Sequence, residues 1–436
     1  MGLADLIPTF RGALQSRLED KLWPPDAVVN DRGELVVGGV DLGEIAVSHG
    51  TPAYVVDEDD FRRCARAYRA ALPEAEILHA AKTLLCRGVL DWALGEGLVL
   101  GVTAGAELAL ARAAGFPGSR IVLHGNAKAP EDFKAALAYP VDRIVVDTLD
   151  EVRQLQELAT YPQDVVLRLS FGRDEPFGFS IPNDSAAGGS AADVVRRLAA
   201  QPTLRPIGVR CHLGSRISRV IDVERAVREV VRFSAWARDE HGMSLGELHI
   251  GGGHVVPYLH GEPDFDVTGC AMRLRVALHD ECARHRVEVP ALVVEPGRAL
   301  IARAGISLLR VAAVHRGKRV VVTVDGGPTG GLCPTRCASR HSMRMIGRVP
   351  RAAKIPVAVI GRHWEPEDVV EIDAVLPDDV RVGDVVAVAC TGAYHHWLEP
   401  DHNLTGRPPV IAVSGGVSRV LVRRESDDDM LARDVG

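Results

Sequence analysis

Residues 98–123, LVLGVTAGAELALARAAGFPGSRIVL, contain the unit from which the fold can be read. An apolar run, Leu98–Val102, meets a glycine-bearing turn, and Ala106–Ala114 then spaces its apolar residues as a helix does. The sequence GFPG breaks that helix, and Arg120–Leu123 opens the next apolar run. Outward from this stretch the same unit recurs between about Gly50 and Arg303. Further strands are expected at Ile77–Ala81, Arg143–Val146, Val165–Leu169, Ile207–Cys211, Glu247–Ile250 and Ala291–Val294. Helices are expected at Pro130–Ala138, Leu149–Ala159, Ala191–Ala200, Val223–Glu240 and Val267–Arg284. Strands that alternate with helices pair in parallel, because each crossover returns the chain to the same edge. Eight units in about 250 residues predict an α/β fold of the (β/α)8 TIM-barrel kind. A doubly wound open sheet would not need eight.

The pattern changes near Gly305. ISLLRVAAVH, RVVVTVDGG, KIPVAVIG, VVEIDAVLP, DVVAVACTG, PPVIAVSGG and SRVLVRRE are strand-like and joined by turns, which predicts a C-terminal all-β domain. Asp26–Val40 reads as a hairpin belonging to that domain. The expected division is therefore an N-terminal segment over 1–48 joining the β domain, a barrel over 49–303 and the β domain over 304–436. The acidic DDDM at 427–430 reads as a solvated tail.

Composition narrows the class. With 436 residues, 47% hydrophobic and 25% charged, the chain suits two globular domains. A formal net charge of −7 gives no reason to expect nucleic acid or an anionic membrane as partner. No apolar run approaches the ~20 residues of a membrane span. The N-terminus has neither the h-region nor the cleavage site of a signal peptide, so a cytoplasmic location is expected. Eight scattered cysteines are then expected to stay reduced. Cys333, Cys337 and His341 recur every four residues, but zinc knuckles are tighter and paired, so no metal site is expected.

Functional residues of such a barrel gather at the C-terminal strand ends. Here those ends offer Lys82, Thr103, His124-Gly125-Asn126, Asp147, His212-Leu213-Gly214-Ser215, Gly251-Gly252-Gly253 and Glu295-Pro296-Gly297-Arg298. The triple glycine suits backbone N–H groups approaching a phosphate. The chain has only six lysines, and Lys82 alone directly follows an apolar strand. In a partly desolvated site its amine would be neutral and able to condense with an aldehyde.

TPAYVVDEDDFRRCARAYRAAL, HAAK, HGNAK, VDTLDE, CHLGS, GGG, EPGR and GAY occur in this order between Thr51 and Tyr394. Together they resemble the fold-type III decarboxylases that depend on pyridoxal 5′-phosphate (PLP). Diaminopimelate decarboxylase is the nearest member, with ornithine and arginine decarboxylases as relatives. The resemblance implies an alanine-racemase-like barrel and an amino-acid α-decarboxylase acting as a homodimer with shared active sites. It implies that Lys82 holds PLP covalently, Glu295 pairs with the ring nitrogen and keeps it protonated, and His212 stacks on the ring. Ser215, Gly251, Gly252, Gly253, Arg298 and Tyr394 would line the phosphate site, with Lys82, His212 and Glu295 as the catalytic set.

The substrate side departs from the family pattern. Cys333 and Cys337 stand where the family has an arginine and a tyrosine for a distal carboxylate, and a thiol cannot form the bidentate contact. Trp364 replaces the cysteine that returns a proton to Cα, leaving His363, Cys333 or a water for that role, while Glu365 is kept and could bind an amine. Gly101 stands where an aspartate is usual, and Glu175-Pro176-Phe177-Gly178 replaces Ser-Lys-Phe-Gly. With Arg298, Cys333, Trp364 and Glu365 at the substrate, the expectation is an amino acid other than diaminopimelate, free or carried on a larger group, in a specialised biosynthetic pathway. Two other classes stay open: a PLP-dependent racemase or epimerase, against which Glu295 speaks, and an idle paralogue that only binds a partner.

Overall fold

A computed structural model describes residue 18 and residues 21–170, 177–181, 190–200, 203–214, 217, 219–327, 340–363, 368–396 and 404–436. The chain divides into two compact units. One comprises Cys64–Val255 and Phe265–Ala299; the other comprises Val256–Asp264, Leu300–Gly436 and the chain up to Arg63.

The first unit is the expected barrel. Its strands are β1 (Glu76–Ala80), β2 (Val99–Val102), β3 (Ile121–Leu123), β4 (Arg143–Val146), β5 (Gln163–Ser170), β6 (Leu204–Cys211), β7 (Glu247–Gly251) and β8 (Ala291–Glu295). Each pairs in parallel with the next, and β8 pairs with β1, so eight parallel strands close on themselves. The helices between them bury one apolar stripe each. In Ala191–Ala199, for example, Ala191, Val194, Val195 and Leu198 are buried, and Ser190 caps the start by accepting from the Ala192 amide.

Side-chain alternation along the strands layers the interior. Leu78, Val99, Val122, Val145, Val166 and Val293, with Ile207 against them, form an apolar plug. Two residues further along the same strands come Ala80, Gly101, His124, Asp147, Arg168 and Glu295. Four of these six are polar or charged. The plug therefore separates a charged C-terminal mouth from the strand starts, where Arg143 binds Glu76 at 2.7 Å and Glu247 at 3.3 Å.

The second unit is built on a sheet in the order Val369–Pro377, Lys354–Ile360, Val320–Val324, Gly305–Arg316, Ala53–Asp57, Val410–Ser414 and Val417–Val422. Val385–Val388 pairs with both Gly305–Arg316 and Met343–Ile346. Ala53–Asp57, in the segment expected for the barrel, is thus a strand of this sheet, pairing with Gly305–Arg316 and Val410–Ser414. The expected hairpin is a three-stranded antiparallel piece, and its Leu35, Val37 and Val40 share a core with Val55, Ile306 and Ile411. The acidic run is not a plain tail. Ser426 and Asp429 cap each other's backbone at the start of a short helix, Asp427–Leu431, and Arg423 binds Asp429.

Candidate active site

The first strand ends in a 3₁₀ turn, Ala81–Thr83, from which Lys82 projects. The residue is exposed to solvent. Surrounding protein nevertheless lowers its pKa, first by burial and then through the positive charge of Arg210, while Glu295 and Glu107 oppose the shift. A lysine there is inclined to the neutral amine, the reactive form.

Glu295, at the end of β8, is buried and held by Arg210 from β6. Arg210 Nε donates to both carboxylate oxygens at 2.9 and 3.1 Å, and Nη2 donates at 2.7 Å. Strand register explains how they meet. Strand β7 lies between β6 and β8, with His249 opposite Arg210 and Gly251 opposite Glu295. The guanidinium of Arg210 thus reaches across β7 to the carboxylate on the strand beyond. Burial alone would push the Glu295 carboxyl up; Arg210, with His124 and His249, holds it well below the ordinary range. His249 lies between two acids, 3.1 Å from Glu247 and 3.8 Å from Glu295.

His212 follows β6. Burial, and next the charge of Arg210, takes its pKa down to about 4, so its imidazole is neutral at neutral pH. Its Nδ1 is buried without a hydrogen-bond partner among the described residues. The glycines beside it are required by space. A Cβ on Gly251 would lie 2.5 Å from His212 Nδ1, and one on Gly252 would lie 2.1 Å from the Glu295 carbonyl oxygen. Gly253 has φ +99°, a backbone region that favours glycine. Arg298, half-buried, opens the short helix Gly297–Ile301 after β8.

Lys82, His212, Gly251, Gly252, Gly253, Glu295 and Arg298 are thus all at C-terminal strand ends of one barrel. An exposed amine of lowered pKa, a buried carboxylate, an imidazole whose Nδ1 has no hydrogen-bond partner among the described residues, and a side-chain-free glycine run fit PLP. Tyr394 belongs to the other unit, half-buried with φ +69°. Ser215, Cys333, Trp364 and Glu365 lie outside the described residues.

Sequence reasoning missed Arg210 and Arg168. Arg168 Nη1 donates to Asn126 Oδ1 at 2.6 Å and Asp147 Oδ2 at 2.9 Å, and its guanidinium sits 5.4 Å from the Phe177 ring. Both arginines stand close to the C-terminal ends of their strands, Arg168 in Gln163–Ser170 and Arg210 in Leu204–Cys211, and that was the available signal. Gly101 acquires a physical reason: a Cβ there would lie 2.6 Å from Leu78 Cδ2 and 3.1 Å from His124 Cδ2. The room an aspartate would need is taken by Leu78 and His124.

Residues 58–302 match the family described as pyridoxal-dependent decarboxylase, pyridoxal binding domain. A diaminopimelate decarboxylase of Actinosynnema pretiosum subsp. auranticum is 49% identical, with all of both chains covered. One from Mycobacterium tuberculosis is 35% identical over 96% of this chain and 98% of its own. The crystal structure of a diaminopimelate decarboxylase from M. jannaschii superposes with TM-score 0.88 at 24% identity, covering 95% of this chain and 98% of that one. A lysine/ornithine decarboxylase from Vibrio vulnificus gives 0.74 at 24% identity, covering 86% and 98%. Among the described residues no helix is long and apolar enough to cross a membrane.

Proposed function

The chain belongs to the pyridoxal-dependent decarboxylase family, and from this premise we propose how its residues share the removal of an α-carboxylate from an amino acid. Lys82 binds PLP covalently through Nζ, Glu295 faces the ring nitrogen and His212 packs on the ring. By the family resemblance Ser215, Gly251, Gly252, Gly253, Arg298 and Tyr394 would hold the phosphate. Bound PLP supplies an electron sink for the pair left when the bond from Cα to the carboxylate breaks. Burial and the charge of Arg210 lower the pKa of the free Lys82 amine, which favours its condensation with the PLP aldehyde. His212, neutral at neutral pH, packs without adding charge. Trp364 has no acidic proton for Cα, so His363, Cys333 or a water provides it.

One observation supports this assignment above the others: the Lys82 amine opens to the mouth of a closed parallel barrel within electrostatic reach of the buried Glu295. The relatives described above are named decarboxylases, which favours this reaction over racemisation or an idle role. A homodimer with shared sites is the working form that the family resemblance supports.

Diaminopimelate is the substrate supported best, through the 49% identity to a whole-length relative named for it. That weighs against the expectation of a different amino acid. The second reading rests on Cys333, Cys337 and Trp364, which leave the family's distal-carboxylate and proton-donor positions without their usual groups. Under it the substrate lacks a distal carboxylate or is carried on a larger group, with a place in specialised biosynthesis. Purified protein with PLP is given meso-diaminopimelate, lysine, ornithine, arginine and carrier-linked amino acids, and CO2 is measured. Lysine and CO2 from diaminopimelate support the first reading, and CO2 from another substrate alone supports the second. Inactivity throughout, or covalent PLP retained by Lys82→Ala after borohydride reduction, defeats the assignment.

A further inference from the structure

Glu295 already has a partner. Three contacts of 2.7–3.1 Å from Arg210 engage both its oxygens, in the layer of the barrel next to its apolar plug. We propose that Arg210 competes with the ring nitrogen of PLP for the Glu295 carboxylate and thereby limits how firmly that nitrogen holds a proton. The inference rests on the reading that Glu295 faces the ring nitrogen.

A lone buried carboxylate beside a pyridine nitrogen favours a shared proton, because the resulting ion pair neutralises both groups. With Arg210 in place the carboxylate is neutralised already, so a proton on the ring leaves a net positive charge in a desolvated site. Such a charge is disfavoured. The other charged or titratable groups facing Glu295 are His249 from β7, His124 after β3 and Lys82 after β1. Asp147 offsets part of the charge of Arg210 from β4's end, but it also binds Arg168 at 2.9 Å. Arg210 is the only one of these groups bound to Glu295 by a fork of hydrogen bonds. It is a positioning residue, and it moderates the electron sink on which decarboxylation draws.

The readout is the ¹⁵N chemical shift of the ring nitrogen, titrated with pH in protein loaded with ¹⁵N-labelled PLP. Arg210→Met is expected to raise the pH at which the ring loses its proton by about one unit or more. Arg210→Lys keeps a charge but loses the fork, and a smaller rise in the same direction is expected. The lysine variant alone decides the matter if the methionine variant does not fold. A midpoint that stays put or falls in the folded variants overturns the proposal. Glu295→Gln separates the two readings. If it leaves the ring titration as in wild type, the assignment of Glu295 itself is wrong. If it abolishes ring protonation while the Arg210 variants match wild type, only the role of Arg210 fails.

Discussion

The amine of Lys128 lies 2.8 Å from a carboxylate oxygen of Glu151, with side chains 0% and 5% exposed. This pair ties the HGNAK segment after β3 to the VDTLDE segment after β4. Glu151 also accepts from the amides of Lys128 at 3.1 Å and Asp147 at 2.8 Å, and Lys128 Nζ donates to the Gly125 carbonyl at 2.8 Å. Two of the motifs that suggest the family are thus halves of one buried bond that shapes the barrel mouth. Lys128→Met strands the Glu151 charge and is expected to cost about 3–5 kcal/mol. Adding Glu151→Gln should recover much of the loss. Denaturant unfolding checks both, and a single variant as stable as wild type would refute the account.

Acid should weaken the protein from an unusually high pH. Burial lowers His79, His212, His254 and His396 to about 4 and His124 to about 3. An unfolded chain protonates these groups near 6.5, so between about 6.5 and 4 it binds more protons than the folded one. Stability therefore falls as pH drops through that window. Urea midpoints at pH 7.0 and 5.0 test it, and equal midpoints would count against neutral buried imidazoles.

Asp57 works in the opposite sense. It caps the helix Glu58–Ala71 by accepting from the Asp59 and Asp60 amides, yet its Oδ2 is buried without a hydrogen-bond partner among the described residues. Burial raises its pKa to about 6. The folded state holds this proton longer than the unfolded one, so ionisation costs stability as pH rises from about 4 to about 6. Asp57→Asn keeps a good capping side chain without the charge. Its melting temperature relative to wild type should climb across that window and level off above it; a constant difference would show that Asp57 does not titrate there.

Gly252→Ala probes the packing between β7 and β8. The added Cβ would meet the Glu295 carbonyl oxygen at 2.1 Å, and backbone cannot turn aside as a side chain can. A loss of about 1–3 kcal/mol or more is expected, together with weaker retention of PLP because Glu295 must shift. A variant with unchanged melting temperature and cofactor affinity would contradict the close approach.

Much of this was legible in one dimension. Apolar runs alternating with helical stretches specify a parallel barrel, since a strand buried on both faces needs continuous apolar sequence. The glycine and charged residues that end those runs marked the mouth, and Lys82, His212 and Glu295 are found there. The strand Met343–Ile346 escaped notice because MRMI is short and carries an arginine. The capped turn at Asp427–Leu431 escaped because charge density suggests solvation, whereas Ser426 and Arg423 supply local partners.

The pairing of Arg210 with Glu295 belongs to the tertiary structure alone. The two residues are 85 positions apart, and each by itself reads as a charged residue near the end of an apolar strand. Their meeting depends on the order β6, β7, β8 and on the register that sets His249 opposite Arg210 and Gly251 level with Glu295. Local periodicity determines which elements form and which face is apolar. Register between strands is decided only when the barrel closes, because packing of the whole interior, and no local preference, selects it.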